Sequence, residues 1–490
     1  MGTRTNLREE QYVQFSFLSE GQKRLMYSEV LEILQYTGAN IHHEQAREML
    51  RERGCTVKGN RVFIPSQLVH EALHTVPPIT TLHHWDDSGR LRIEQGRVYF
   101  GPGPTCPQFV DPYTHERRRY ILKDASLVAR VCDALPEIGF VMSLGSISDV
   151  TDGLEEIYEF AEMTQNSSKP VIAWCFSREH CQDIHHIAAA LAGGEEELYH
   201  RPIYIFYNEP ISPLMCDFNA IEKLIYCAEK GIPQIFAPAN SGGATVPATH
   251  AAHLVVTLAE SLIGVVISQI VRPGSCIIIG GTQSILDMRT MVFSYGAPEL
   301  SIMSAGLSEL AEYIGLPVFT AGGCSDAKTT ELQSAIEPNI SLHSAVLSGA
   351  NLVHDVGFLD SGMTGSIFQL VMADECISMA RRIARGVLVT EETLAEEEIM
   401  KFGLEGDYSK TDHTKKWSQF NWKPKLMDRQ SYDDWKSNGS KDMKQQLYEL
   451  TMKIVEEHKG PQEKVPQKAR KEIEGILQAA EERKSSEKAK

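Results

Sequence analysis

The sequence lacks the features that several protein classes require. Its ten cysteines include no CxxC pair, so neither a disulfide framework nor a structural zinc site is indicated. Lysine and arginine number 48 against 65 acidic residues, and the net charge of -17 disfavours binding to nucleic acid or an anionic membrane. The amino terminus has no apolar core of a signal peptide, and we find no run near the ~20 apolar residues that span a bilayer. We therefore expect a cytoplasmic protein with reduced thiols.

Short apolar runs, each followed by a helical stretch, fill the chain from about Gly139 to Gly357. Most are rich in Val, Ile and Phe without alternation, which is typical of parallel strands buried on both faces. Eight such runs predict a (β/α)8 barrel, an α/β fold. They begin at Gly139, Pro170, Ile203, Gln234, Cys276, Glu299, Pro317 and Asn351. The run from Glu299 could also be an extended loop that leads into a helix.

The segments on either side of these runs have a different character. Residues 1–128 contain two helical patterns and several short strands with turns, which predicts an α+β cap. Residues 129–392 are assigned to the barrel. Residues 393–490 form a C-terminal extension with a polar helix and a tail, SSEKAK, that we expect to be disordered.

Polar and aromatic residues follow most of the predicted strands, where the active sites of barrels lie. The glycine-rich AGGCSD could bind phosphate, but no arginine is near it. A set of four residues, Cys324, Asp326, His354 and Asp355, could hold a catalytic zinc ion. A third possibility is a cationic substrate held by aromatic faces, with charge from Glu209 or Asp355. Either His343 or His354 could then hold a substrate carboxylate.

Longer segments carry a resemblance to a known family. They are GRVYFGPGPTCPQFVDPYTHERR, YNEPISPL, TAGGCSDAKTTELQSAIE and SGANLVHDVGFLDSG, and the similarity extends over most of the chain. Together they resemble the trimethylamine methyltransferase family of corrinoid-dependent enzymes. The resemblance implies methyl transfer from a methylated amine to Co(I) of a cobalamin carried by a separate corrinoid protein. Founding members have pyrrolysine within the segment that corresponds to Ser325 through His343, whereas this chain has only standard residues.

That departure makes the chain similar to the non-pyrrolysine branch, which acts on quaternary amines. Glycine betaine, the smallest, is the expected substrate, with proline betaine, carnitine and γ-butyrobetaine as alternatives. We also expect a homo-oligomer without a tightly bound metal. Two other hypotheses stay open: a barrel that binds betaine without catalysis, and a zinc-dependent methyltransferase acting on methanol or a thiol.

Positions at or near the predicted strand ends give the candidate site residues. The catalytic candidates are Glu209, Asp326 and Asp355. The substrate-binding candidates are Tyr99, Phe100, Trp174, Tyr207, Asn208, His343 and His354. Cofactor binding is assigned to glycines at or after predicted strand ends, namely Gly242, Gly243, Gly281 and Gly323.

Overall fold

A computed structural model describes residues 15–488. Its centre is a closed barrel of eight parallel strands, each followed by a helix, which confirms the predicted fold class. The strands are β1 (Tyr99–Phe100), β2 (138–141), β3 (Val171–Ala173), β4 (Tyr204–Asn208), β5 (Gln234–Phe236), β6 (Ile277–Asp287), β7 (Val318–Ala321) and β8 (Leu352–His354). β2 closes the ring through bridges to Phe100 and Val171.

Eight helices surround the strands. They are α1 (Leu122–Ala134), α2 (Glu155–Asn166), α3 (Arg178–Ala192), α4 (Phe218–Lys230), α5 (His250–Val271), α6 (Pro298–Tyr313), α7 (Leu332–Ser348) and α8 (Ile367–Ala384). Local signals fix their ends. For example, Asp217 caps α4 by accepting a hydrogen bond from the Ala220 amide at 2.9 Å, and Gly231 ends it at a φ of 72°.

Two strand assignments made from sequence were wrong. The apolar run from Glu299 lies in α6, because Pro298 starts a helix and Leu300, Met303 and Leu307 bury one face at helical spacing. The missing strand is β1, which the sequence placed in the cap. Its residues pair in parallel with Leu352 and Val353 of β8. The chain therefore enters the barrel at Tyr99.

The remaining N-terminal residues pack around the outside and the amino end of the barrel. Helices Glu20–Glu32, Glu44–Glu52 and Ser66–Thr75 pack on α5. A small sheet of Ala39–Ile41, Thr56–Lys58 and Arg61–Phe63 pairs with Met215–Cys216 after β4. The hairpin of Thr80–His83 and Arg90–Ile93 buries Leu82, Leu91 and Ile93 against the amino ends of the barrel strands. It thereby closes the barrel opposite the active face.

The C-terminal extension consists of helices joined by short turns. They are Glu391–Leu394, Glu396–Phe402, Asp412–Trp417, Tyr432–Ser437, Met443–Glu457 and Gln467–Lys488. Met443–Glu457 packs on α8 and α1, and Gln467–Lys488 packs on α3 and α2. The last helix runs into the SSEKAK segment expected to be disordered, of which residues 489 and 490 lie outside the described residues.

One helix departs from the expectation that no apolar run is long enough for a bilayer. α5 has 22 residues and a mean hydropathy of 2.1 in its most apolar window, and 83% of that window is buried. It is the only such helix between residues 15 and 488. Because its neighbours are the barrel strands and the N-terminal helices, its hydrophobicity belongs to the core of the fold.

Candidate active site

A cavity of about 770 Å³ opens at the carboxyl ends of the barrel strands. Loops after seven of the eight strands contribute to it, so residues far apart in sequence meet there. Its lining includes Thr105, Ser146, Trp174, Phe176, Tyr207, Glu209, Asp217, Lys223, Thr282, Tyr295, His354 and Asp355. This is the place where barrel enzymes carry their active sites.

A buried histidine and aspartate form one side of the cavity. His354 Nδ1 lies 2.7 Å from Asp355 Oδ1, and its Nε2 lies 3.1 Å from Thr282 Oγ1. The imidazole stacks on Phe319 with ring centres 4.0 Å apart and planes 2° from parallel. With both nitrogens bonded and one face covered, the ring orientation is fixed, and Nε2 is the nitrogen that points away from Asp355.

Asp355 is held in a conformation that requires space. Its φ of 71° lies in the left-handed region, which an aspartate rarely adopts. Gly103 after β1 provides the space, because a Cβ there would overlap Asp355 Oδ1 and lie 2.6 Å from Phe358 Cζ. Between residues 15 and 488, Asp355 Oδ2 is buried and accepts no well-aligned hydrogen bond, although the Tyr295 hydroxyl interacts with this carboxylate. An unsatisfied carboxylate oxygen at the cavity is suited to a cationic ligand.

A tyrosine and a glutamate from the end of β4 face this pair across the barrel. The Tyr207 ring centre lies 6.4 Å from that of His354, and its hydroxyl donates to Glu209 Oε2 at 3.0 Å. Glu209 is exposed to the cavity, yet the surrounding protein desolvates its carboxylate and raises its pKa. Burial likewise raises the pKa of Tyr207, and Glu209 adds to the effect. Tyr207 therefore stays a neutral hydrogen-bond donor.

Aromatic rings complete the wall. Trp174 and Phe176, both after β3, meet edge to face with ring centres 5.2 Å apart. Tyr295, after β6, lines the cavity beside Asp355, and burial together with that carboxylate raises its pKa well above the usual range. The cavity thus combines the acidic groups of Glu209, Asp355 and Asp217, the last of which caps α4, with several π faces that can attract a cation without donating hydrogen bonds to it.

The other aromatic and polar candidates lie away from the cavity. Tyr99 is at the amino end, where its hydroxyl accepts from the Arg92 amide at 3.1 Å, and the Phe100 ring faces the Arg381 guanidinium outside the sheet. Asn208 points to the helices and donates to Gln234 Oε1 at 3.4 Å. His343 lies on α7 and bonds to the Asn339 carbonyl at 2.8 Å.

Asp326 and the four glycines have structural surroundings. Asp326 accepts from the Tyr295 amide at 2.9 Å and from Ser361 Oγ at 2.8 Å, so it anchors the loop that carries Tyr295. A side chain at Gly242 or Gly281 would meet His253 or Thr257, and Gly243 and Gly323 adopt positive φ angles of 90° and 77°. None of the five lines the cavity among the described residues. Residues 15–488 also contain no group of three His, Cys, Asp or Glu side chains that could hold a metal ion, so the structure gives the zinc hypothesis no support.

Lys223 and Tyr295 are two of the cavity residues that the sequence analysis missed. Lys223 lies in the apolar pattern IEKLIYCAEKG of α4, where one lysine facing the barrel is not distinguishable from one facing solvent. Tyr295 lies in the segment that was interpreted as leading into a strand. A correct helix over α6 would have placed it in the loop after β6, at the active face.

The fold and the cavity define a (β/α)8 protein with an acidic, aromatic candidate site, and comparison with known proteins shows its family. The sequence profile of trimethylamine methyltransferase (MTTB) matches residues 3–484. The chain belongs to this family, as the sequence resemblance predicts, and is a methyltransferase.

Individual relatives cover nearly the whole chain. It is 31% identical to trimethylamine methyltransferase MttB of Desulfitobacterium hafniense over 94% of this chain and 93% of that protein. It is 32% identical to MttB of Methanosarcina thermophila over 90% and 93%, respectively. A glycine betaine methyltransferase of D. hafniense is 29% identical over 86% and 88%. The crystal structure of Methanosarcina barkeri monomethylamine methyltransferase covers 90% of this chain and 92% of its own, with 13% identity and a TM-score of 0.48.

Proposed function

We propose that this chain transfers a methyl group from a quaternary amine, with glycine betaine as the first candidate, to the Co(I) form of a corrinoid carried by a partner protein. The products are a tertiary amine, dimethylglycine in the case of betaine, and the methylated corrinoid. The observation that carries the proposal is the composition of the cavity in a chain of this family. We place the reaction in the cytoplasm.

The cavity suits a permanently charged ammonium group. A quaternary nitrogen has no N–H, so carboxylates and aromatic faces, rather than hydrogen-bond acceptors in a fixed geometry, are its natural neighbours. Glu209 and Asp355 supply negative charge, and Trp174, Tyr207 and Tyr295 supply π faces. A neutral substrate such as methanol would offer no positive charge to these carboxylates.

The reaction requires little proton transfer from the protein. One carbon–nitrogen bond breaks and its electron pair stays on nitrogen, which leaves as a neutral amine, while the corrinoid supplies the nucleophile that takes the methyl carbon. The chain has to hold one N-methyl group towards the mouth of the barrel and keep water away. Since the positive charge disappears during transfer, moderate attraction by π faces opposes catalysis less than close ion pairs would.

The rim of the cavity suits a protein partner. Large apolar side chains stand out from the loops after four different strands: Phe176 is 66% exposed, Ile211 44%, Met288 68% and Met363 48%. Exposed apolar groups that surround one opening mark an interaction surface. We propose that the corrinoid protein docks there and that its flat macrocycle covers the mouth. A homo-oligomer would use other surfaces of the chain.

The test mixes the purified protein with a corrinoid protein reduced to Co(I), adds one amine at a time and follows the absorbance of the corrinoid. We expect methylation with glycine betaine and none with trimethylamine. Methylation by trimethylamine alone would replace the proposed substrate. If no amine methylates a partner that another methyltransferase can load, the chain is a betaine-binding barrel or uses another donor.

A further inference from the structure

Lys223 is a nearly buried cation in the cavity wall that the chemistry above does not use. It lies on α4, is 8% exposed and lines the cavity. Its ammonium donates one hydrogen bond, at 2.5 Å, to the Cys175 carbonyl after β3. Among the described residues no carboxylate lies within ion-pair distance of it. The nearest aromatic contact is the face of Phe206, 6.0 Å from Nζ.

A second lysine, half-buried in the fold, shows how such a group is satisfied when its role is structural. Lys169 donates to three carbonyls, those of Cys132, Leu135 and Ile138, at 2.6, 2.6 and 2.7 Å. All three of its N–H donors are used. Lys223 has the same three donors and one protein acceptor, so two remain for the cavity. Glu209, at the end of β4, is near enough for the Lys223 charge to act on its carboxylate, but the two residues form no ion pair. The nearly buried ammonium therefore lacks a directly bonded anion, which is costly unless a ligand supplies one.

The position of Lys223 fits a substrate with charge at both ends. α4 follows β4, and His354 and Asp355 end β8, which lies opposite β4 in a ring of eight strands. The cavity therefore has its cation on one side and the Asp355 carboxylate on the other. We propose that Lys223 binds the carboxylate of the substrate and makes the site select zwitterionic quaternary amines over simple cations. The proposal deepens the proposed function and rests on it for the identity of the ammonium end.

Measurements of ligand binding test the role of Lys223 without the corrinoid. Isothermal titration calorimetry compares glycine betaine with tetramethylammonium, which has the same methyl groups and no carboxylate, on the wild type and Lys223→Met. One lost charge-assisted hydrogen bond predicts about 10- to 100-fold weaker betaine binding. Tetramethylammonium affinity should stay the same within about twofold, which also shows that the variant is folded. Lys230→Met, on the exposed end of the same helix, is the matched control.

The outcomes separate this proposal from the function above. Equal weakening of both ligands in Lys223→Met, or no change for betaine, overturns the role of Lys223. Betaine binding that depends on Lys223 without any methylation of a competent corrinoid protein would instead reject the methyl transfer and keep the carboxylate site. Methylation of the corrinoid by betaine at equal KM in wild type and Lys223→Met would keep the function and reject the role of Lys223.

Discussion

Replacing Glu159 with glutamine should make the stability of the protein less dependent on pH. Glu159 lies on α2, is 1% exposed and accepts a hydrogen bond from the Ile147 amide at 3.0 Å. Burial raises its pKa to about 8 from an ordinary value of 4.5, and the nearby Glu156 and Glu155 add to the effect. The folded protein therefore holds a proton on Glu159 that the unfolded chain releases between these two pH values.

The sign and size follow from proton linkage. Because the folded state binds the extra proton, raising the pH from about 5 to about 8 favours unfolding, and the loss is complete above the folded pKa. The difference between pKa values of 4.5 and about 8 corresponds to a loss of at most about 5 kcal/mol in the free energy of unfolding. In Glu159→Gln the amide oxygen can still accept from Ile147, and there is no proton to lose.

Urea unfolding at pH 5 to 9 measures how the free energy of unfolding depends on pH. The wild type should lose stability across the range relative to Glu159→Gln, so that the variant becomes the more stable protein at pH 9. Glu474→Gln, at an exposed glutamate of the last helix, controls for the change in net charge. If the free energy of unfolding depends on pH in the same way in the wild type and in Glu159→Gln, Glu159 does not hold the proton that we assign to it.

Three further predictions concern the cavity. Since the pKa of Glu209 is raised, the affinity for tetramethylammonium should fall on acidification at a pH above the ordinary range of glutamate. Glu209→Gln should remove that pH dependence. Calorimetry across pH measures it, and the same pH profile in the variant as in the wild type would contradict the prediction. Gly103→Ala should displace Asp355 and lower kcat/KM at least ~10-fold, whereas Gly475→Ala, which meets no neighbour, should leave it unchanged. His354→Ala removes the imidazole that holds Asp355 and should weaken betaine binding about tenfold while the circular dichroism spectrum is kept; full turnover and affinity in this variant would remove this positioning role of His354.

The barrel could be predicted because its strands are buried on both faces. Runs such as PVIAWC and CIIIGG lack the polar residues that a solvent-facing side would require, and their spacing leaves room for one helix each. β1 was not recognised as a barrel strand because it has only two residues between Gly-rich and Pro-rich turns, which is too short for a periodic pattern. α6 was mistaken for a strand because its apolar residues are frequent enough to form a continuous run.

The site was harder to predict for a related reason. Along β4, Ile205 and Tyr207 face the barrel interior, and Phe206 and Asn208 face the helices. In an exposed sheet, alternation of polar and apolar residues would reveal this, but here both faces are buried and the sequence carries no such alternation. The sequence therefore named Tyr207 and Asn208 together, although only Tyr207 reaches the cavity.

The pairing of β1 with β8 also bears on how the protein is made. These strands are separated by about 250 residues of chain, so they form the contact of longest sequence separation in the ring. During synthesis the ribosome must release Leu352–His354 before the ring can close. The same stretch carries His354 and leads directly into Asp355, so barrel closure and completion of the cavity coincide. Any partly synthesised chain that stops earlier has an open sheet edge and an incomplete cavity, and an open edge of this kind promotes aggregation.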